Sequence, residues 1–185
     1  MELHELPYLA DIHTALRKGR HLTLEDGPLY EALASHYDAF NNLFKGLGLT
    51  LVCHERGFFY LEDDTAPKSA QRMVLFAAIL VETLDDQGIN LDQELLDVRI
   101  DPDKLPHLRH EKYRLAMEEV GVRDQDGLLK VLEAMKRYGL AEPVDGIWRF
   151  RTSAHRLLDV MNMAGRVVRP TEEPEAAPAE EGARL

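Results

Sequence analysis

The sequence predicts a mainly α-helical protein of the α+β class, in which two runs of helices each close on a small β-hairpin. Three observations predict it. Apolar residues recur at helical spacing through most of the chain. The stretch "LVCHERGFFYL", residues 51–61, is β-rich and folded around a charged turn. A second stretch of that kind, "LAEPVDGIWRFR" at residues 140–151, follows a second run of helical patterns.

Leu6, Leu9, Ile12, His13 and Leu16 follow helical spacing, and Gly19 ends the pattern. Thr23 and Asp26 have capping-box spacing, with Asp in place of the usual Glu or Gln, and Pro28 fits only the first turn of the helix that follows. That helix carries Leu29, Leu33 and His36 or Tyr37; a third carries Phe40, Leu43, Phe44 and Leu47, with Gly46 and Gly48 as stops. In the first hairpin Leu49, Leu51 and Cys53 share one face, Phe58 and Tyr60 oppose Phe59 and Leu61, and Gly57 supplies the turn. Lys68 to Gln87 predicts a long helix, apolar almost all round through "MVLFAAILV", and "GINLDQELLDV" a turn with a short helix or strand. His110 to Val120 reads as helix. Asp124 or Asp126 caps the next, whose core stripe is Leu128, Val131, Leu132 and Met135. Asp145-Gly146 is a two-residue hairpin turn, and Thr152 or Ser153 caps a last helix. Helices followed by a hairpin, twice over, is the order of two winged-helix modules. The expected division is 1–64, 65–165 and an acidic, Pro- and Ala-rich tail at 166–185, read as disordered.

Composition excludes several classes. A chain of 185 residues with 45% hydrophobic residues can build one large core or two small ones. Its net charge of -11 argues against phosphate neutralisation over the whole surface but leaves a local basic face possible. The single cysteine cannot form an internal disulfide, "MELHELPYL" lacks a signal-peptide pattern, and the apolar run Met73–Val81 is too short to span a membrane. A cytoplasmic protein is expected.

No catalytic constellation is found: there is no phosphate-binding glycine loop, dinucleotide fingerprint or nucleophile elbow. No cofactor and no metal are expected. Cys53 and His54 are strand neighbours pointing to opposite faces, so Cys53 reads as structural. His107 and His110 could meet on a helix, but no third ligand accompanies them. The apolar helix is either a central core helix or a surface covered by a second copy, with Phe76, Ile79 and Leu80 as candidate dimer contacts. Basic residues form two groups. Arg17, Lys18 and Arg20 crowd the end of the first helix. Lys130, Lys136, Arg137, Arg149, Arg151 and Arg156 gather around the second hairpin, either as a solvated face or as a phosphate-contacting patch.

The N-terminal stretch "GRHLTLEDGPLYEAL" with "FFYL" on the hairpin, and the later stretch "GLLKVLEAMKRYGLAEPVDGIWRFRTSAHRLL", resemble the MukE/MksE subunits of bacterial condensins, in particular the short MksE branch also found in Wadjet-type plasmid-defence systems. The resemblance covers about residues 1–165. It implies a non-catalytic kite subunit, a tandem winged-helix homodimer that binds the kleisin (MksF/MukF-like) of an SMC-type ATPase (MksB/MukB-like). It further implies that the complex holds duplex DNA without sequence preference, in the cytoplasm at the nucleoid, for chromosome organisation and segregation or for plasmid defence. Phe58, Phe59 and Tyr60 are then candidate kleisin contacts. The competing reading is a winged-helix transcriptional regulator of a specific operator, which needs a base-reading recognition helix.

Overall fold

The computed structural model describes residues 6–62, 68–89 and 94–168. The fold is mixed α and β, dominated by helices, with two small antiparallel sheets. The first run comprises α1 (Leu9–Arg17), α2 (Pro28–Ser35), α3 (Tyr37–Gly46) and the hairpin β1 (Thr50–Cys53) and β2 (Phe59–Glu62). The second comprises α4 (Lys68–Asp85), β3 (Arg99–Ile100), α5 (Glu111–Glu119), α6 (Gln125–Arg137), the hairpin β4 (Ala141–Val144) and β5 (Ile147–Phe150), and α7 (His155–Val168). Short 3-10 turns join several of these.

Each run closes on its own apolar cluster. The first holds Ile12, Leu16, Leu33, Phe40, Phe44 and Phe59, contributed by one face each of α1, α2, α3 and β2. The second holds Phe76, Ile100, Met117, Leu132, Met135 and Trp148. In the first hairpin Cys53 faces Phe59, around a three-residue loop at 55–57, and in the second Val144 faces Ile147 across the two-residue turn. Asp145 and Gly146 both take positive φ, 52° and 81°, which is the backbone that a two-residue turn between twisted strands requires.

Several local expectations are corrected. Thr23 and Asp26 do form a capping box, but it closes a 3-10 turn at Leu24–Asp26; α2 begins only at Pro28, after Gly27 turns the chain at φ 55°. Asp124 is the cap of α6, accepting from Gly127 N–H at 2.8 Å, whereas neither Thr152 nor Ser153 caps α7. The Ser153 hydroxyl donates to the Gly139 carbonyl instead. The second hairpin gains a third strand: β3 pairs with β5, in the order β3-β5-β4. Cys53 is exposed, at the end of β1 where the strand leaves the core. Helix α7 runs to Val168, past the boundary expected at residue 165, and residues 169–185 of the acidic tail lie outside the described residues.

One face of helix α4 is covered by this chain itself. It packs against α5, α6, α7 and the turn at Pro106–Leu108. Phe76 is 0% exposed, Ile79 3% and Leu80 7%. The Phe76 ring stacks on His107 at 4.2 Å, and the His107 Nε2–H donates to the Phe76 carbonyl at 2.9 Å. The expectation that a second copy covers these three residues is therefore corrected: their surface is already inside the second core.

The two clusters meet along a polar seam. Arg151 is 5% exposed and donates to Asp26 Oδ2 at 2.8 Å and to the Thr23 hydroxyl, while Arg20 holds Asp26 Oδ1 at 2.7 Å. The His21 N–H donates to the Tyr138 carbonyl at 2.8 Å. The backbones approach so closely that a Cβ on Gly139 would lie 2.5 Å from the His21 carbonyl oxygen, and one on Gly19 2.7 Å from the Tyr138 ring. On the other side of the seam, the first hairpin lies against α7. His54 pairs with Asp159 at 2.9 Å, Arg156 covers the Tyr60 ring, and Phe58, 0% exposed, stacks on His54.

Candidate nucleic-acid interface

Helix α6 positions the site. Leu128, Val131, Leu132, Ala134 and Met135 turn one face into the second core, so Lys130, Glu133, Lys136 and Arg137 are left on the exposed face. Arg123, Lys130 and Arg137 recur every seven residues: Lys130 and Arg137 are two turns of α6 apart, about 10 Å, on one side of the helix, and Arg123 lies just ahead of its N-cap Asp124.

That line edges a cleft of about 470 Å³ between α6 and the start of α4, with Ser69 and Arg72 contributed by α4. Arg72 is fixed by its Nε–H, which donates to the Val120 carbonyl at 2.7 Å, so its terminal nitrogens stay available. Four cationic side chains, Arg72, Arg123, Lys130 and Arg137, thus surround one opening, and all four are exposed. The acid among them, Asp124, is engaged as the cap of α6. Mobile, hydrated cations around a polar cleft can neutralise phosphates.

The sequence candidates divide accordingly. Lys130 and Arg137 line the cleft, and Lys136 is exposed beside it on α6. Arg149 is exposed on β5, opposite Glu142 on one side and Arg99 on the other. Arg156 is half-buried over Tyr60. Arg151 is a correction: β5 ends at Phe150, so Arg151 does not continue the face of Arg149 but turns into the seam and is held by Asp26. Arg72 and Arg123 were missed. Arg123 is legible as the start of the seven-residue spacing, but Arg72 sits on a helix that reads as apolar and only the fold brings it across to α6.

The candidate kleisin contacts Phe58, Phe59 and Tyr60 do not form an open apolar surface. Phe58 and Phe59 are buried, Phe59 in the first core, and Tyr60 lies partly buried between His21 and Arg156. A largely apolar groove of about 590 Å³ exists elsewhere, between the second half of α4, the segment 99–110 and Ile147. Leu84, Ile100, Pro106 and Ile147 line it, Arg99, Lys104 and Arg109 rim it, and no described strand pairs the outer edge of β3.

His107 and His110 do not converge: His107 is fully buried and His110 is exposed ahead of α5. Among the described residues no cluster of three metal-ligating side chains occurs, and no helix is long and apolar enough to cross a membrane.

Three buried groups give the fold a pH dependence of one sign. Burial lowers the pKa of His107 to about 4, only partly offset by its bond to the Phe76 carbonyl. Burial also lowers His21 to about 4, against the bond to the Tyr138 carbonyl. For Asp26 burial acts upward, but the Thr23 N–H and the Arg20 and Arg151 guanidiniums outweigh it and hold the carboxyl below its ordinary value. The unfolded histidines take up protons near pH 6.5 and the folded ones do not, so stability is level above that pH and falls below it, by up to about 1.4 kcal/mol per pH unit for each histidine. His107, with no exposed surface, carries more of this than the partly exposed His21. Asp26 extends the loss to lower pH. Chemical denaturation is expected to lose about 2 kcal/mol for each histidine held neutral, up to about 4 kcal/mol for the pair, between pH 7 and pH 5; a flat profile would show that neither histidine is held neutral.

The described residues thus form a helical protein with a cationic cleft edged by α6. The sequence model of the family described as condensin complex protein MksE matches residues 7–162, and the chain belongs to that family. No curated protein matches the sequence.

Proposed function

We propose that the protein is a non-catalytic kite subunit of a bacterial SMC condensin complex, which binds the kleisin and helps hold duplex DNA through α6. The cleft of Arg72, Arg123, Lys130 and Arg137, in a chain of the MksE family, carries this reading. The two helix-and-hairpin runs act as tandem winged-helix domains, residues 1–64 and 65–165, with α6 in the position of a recognition helix. Asp126 and Glu133 stand among its cations, which suits phosphate contact better than operator reading. ATP hydrolysis belongs to the SMC partner. The subunit works as a homodimer in the cytoplasm at the nucleoid, through a face other than Phe76, Ile79 and Leu80, in chromosome organisation or plasmid defence.

The kleisin segment occupies the groove between α4 and β3, where it can add to the unpaired edge and place apolar side chains between Leu84 and Ile147. The full chain is expected to coelute on gel filtration with the kleisin of the same operon. Leu84→Glu with Ile147→Glu, both at partly exposed positions, is expected to weaken that association at least tenfold, since each charge would have to be desolvated. Separate peaks for the unsubstituted pair at high concentration would overturn the reading.

A further inference from the structure

The cations at the end of α1 belong to no site yet described. Arg17 and Lys18 are exposed and close the last turn of α1, and Gly19 follows at φ 79°. Gly19 touches the Tyr138 ring, and Tyr138 directly follows Lys136 and Arg137 on α6. Arg20 reaches over to the Lys136 carbonyl at 3.5 Å while pairing with Asp26. The C-terminal ends of α1 and α6 therefore abut, each bearing exposed basic residues within two positions of the contact.

Two like-charged helix ends brought together by a close glycine approach repel each other and call for a counter-charge. Each helix end also carries the negative pole of its own dipole, which offsets part of the repulsion, but solvent-facing cations here have few acids to pair with. Asp26 is already taken by Arg20 and Arg151, and Asp126 and Glu133 are the acids on the exposed face of α6. Lys130 and Arg137 cover about 10 Å along α6, and Arg123 extends the row past its N-terminus. Arg17 and Lys18 continue the cationic strip beyond the end of that helix, onto the other core.

We propose that the phosphate-contacting surface is composite: it runs from the α6 cleft across the contact between Gly19 and Tyr138 to Arg17 and Lys18, and takes the backbone of duplex DNA along both cores. This rests on the reading of the α6 cleft as a phosphate site. It requires the seam to hold the two cores in one orientation, which the Asp26–Arg151 pair and the His21–Tyr138 bond do.

The test is a salt titration of the full chain on a random-sequence duplex of about 30 base pairs, followed by fluorescence anisotropy from about 50 mM salt upward. Arg17→Gln with Lys18→Gln is expected to lower the slope of log K against log salt by about two and to weaken binding at low salt roughly tenfold, without sequence preference. Lys130→Gln with Arg137→Gln is expected to do the same. All four positions are exposed, so circular dichroism spectra should be unchanged. If the α6 pair lowers the slope and the α1 pair does not, the composite surface is overturned and the α6 site stands. If neither pair changes the slope, or the unsubstituted chain does not bind duplex, both are overturned.

Discussion

Asp26→Ala is expected to destabilise the protein by about 3 kcal/mol, because it leaves the buried Arg151 guanidinium with only the longer contacts to Glu25 and Glu142, at 3.8 and 4.0 Å. Asp26 accepts from the Thr23 N–H at 2.9 Å and from Arg20 and Arg151 at 2.7 and 2.8 Å, so one carboxylate closes a turn and joins the two cores. Arg151→Ala is expected to cost somewhat less, since Asp26 would keep Arg20 and Thr23. Replacing both partners, as Asp26→Ala with Arg151→Met, is expected to recover part of the loss, because removing a buried pair together avoids stranding one charge. Gly139→Ala attacks the same seam sterically: its φ of 73° disfavours any side chain, and the added carbon would meet the His21 carbonyl oxygen. Thermal and chemical denaturation measure these effects. A loss below about 1 kcal/mol for Asp26→Ala would mean that the pair is solvated and that the cores are not locked through it.

The second large effect is functional. Lys130→Glu with Arg137→Glu inverts two of the four charges around the cleft. Each removed cation lowers the salt slope by about one, and each introduced carboxylate adds repulsion, so DNA affinity at moderate salt should fall by about a hundredfold or more. Stability should barely change, because both side chains project into solvent from a helix whose core face is untouched.

Most elements were legible in the sequence because their signals are local. The Asp145-Gly146 turn, the apolar stripe of α6 and the helix stops at Gly19 and Gly48 each follow from a few adjacent residues. What was not legible depends on contacts far apart in the chain. Arg151 reads as the next outward residue after Arg149, but β5 stops at Phe150 and Asp26, far away in sequence, captures the guanidinium. β3 is two residues long and has no pattern of its own; its existence is decided by pairing with Arg149 and Trp148. The apolar circumference of α4 left a core helix and a face covered by a second copy equally open, because the contacts that bury it, from α5 and from the turn carrying His107, are set only by the fold. Of the phosphate site, Lys130 and Arg137 were visible in charge grouping, whereas Arg72 joins them only through the packing of α4 on α6.

The reading proposed here has this MksE-family chain helping its complex grip DNA through the α6 cleft. DNA-stimulated ATP hydrolysis by the assembled SMC, kleisin and kite complex tests it most directly, with the Lys130→Glu, Arg137→Glu variant set against the unsubstituted chain. The account predicts that the variant assembles normally and keeps basal hydrolysis but loses most of the stimulation by duplex DNA. Assembly with undiminished stimulation and undiminished DNA retention would contradict it.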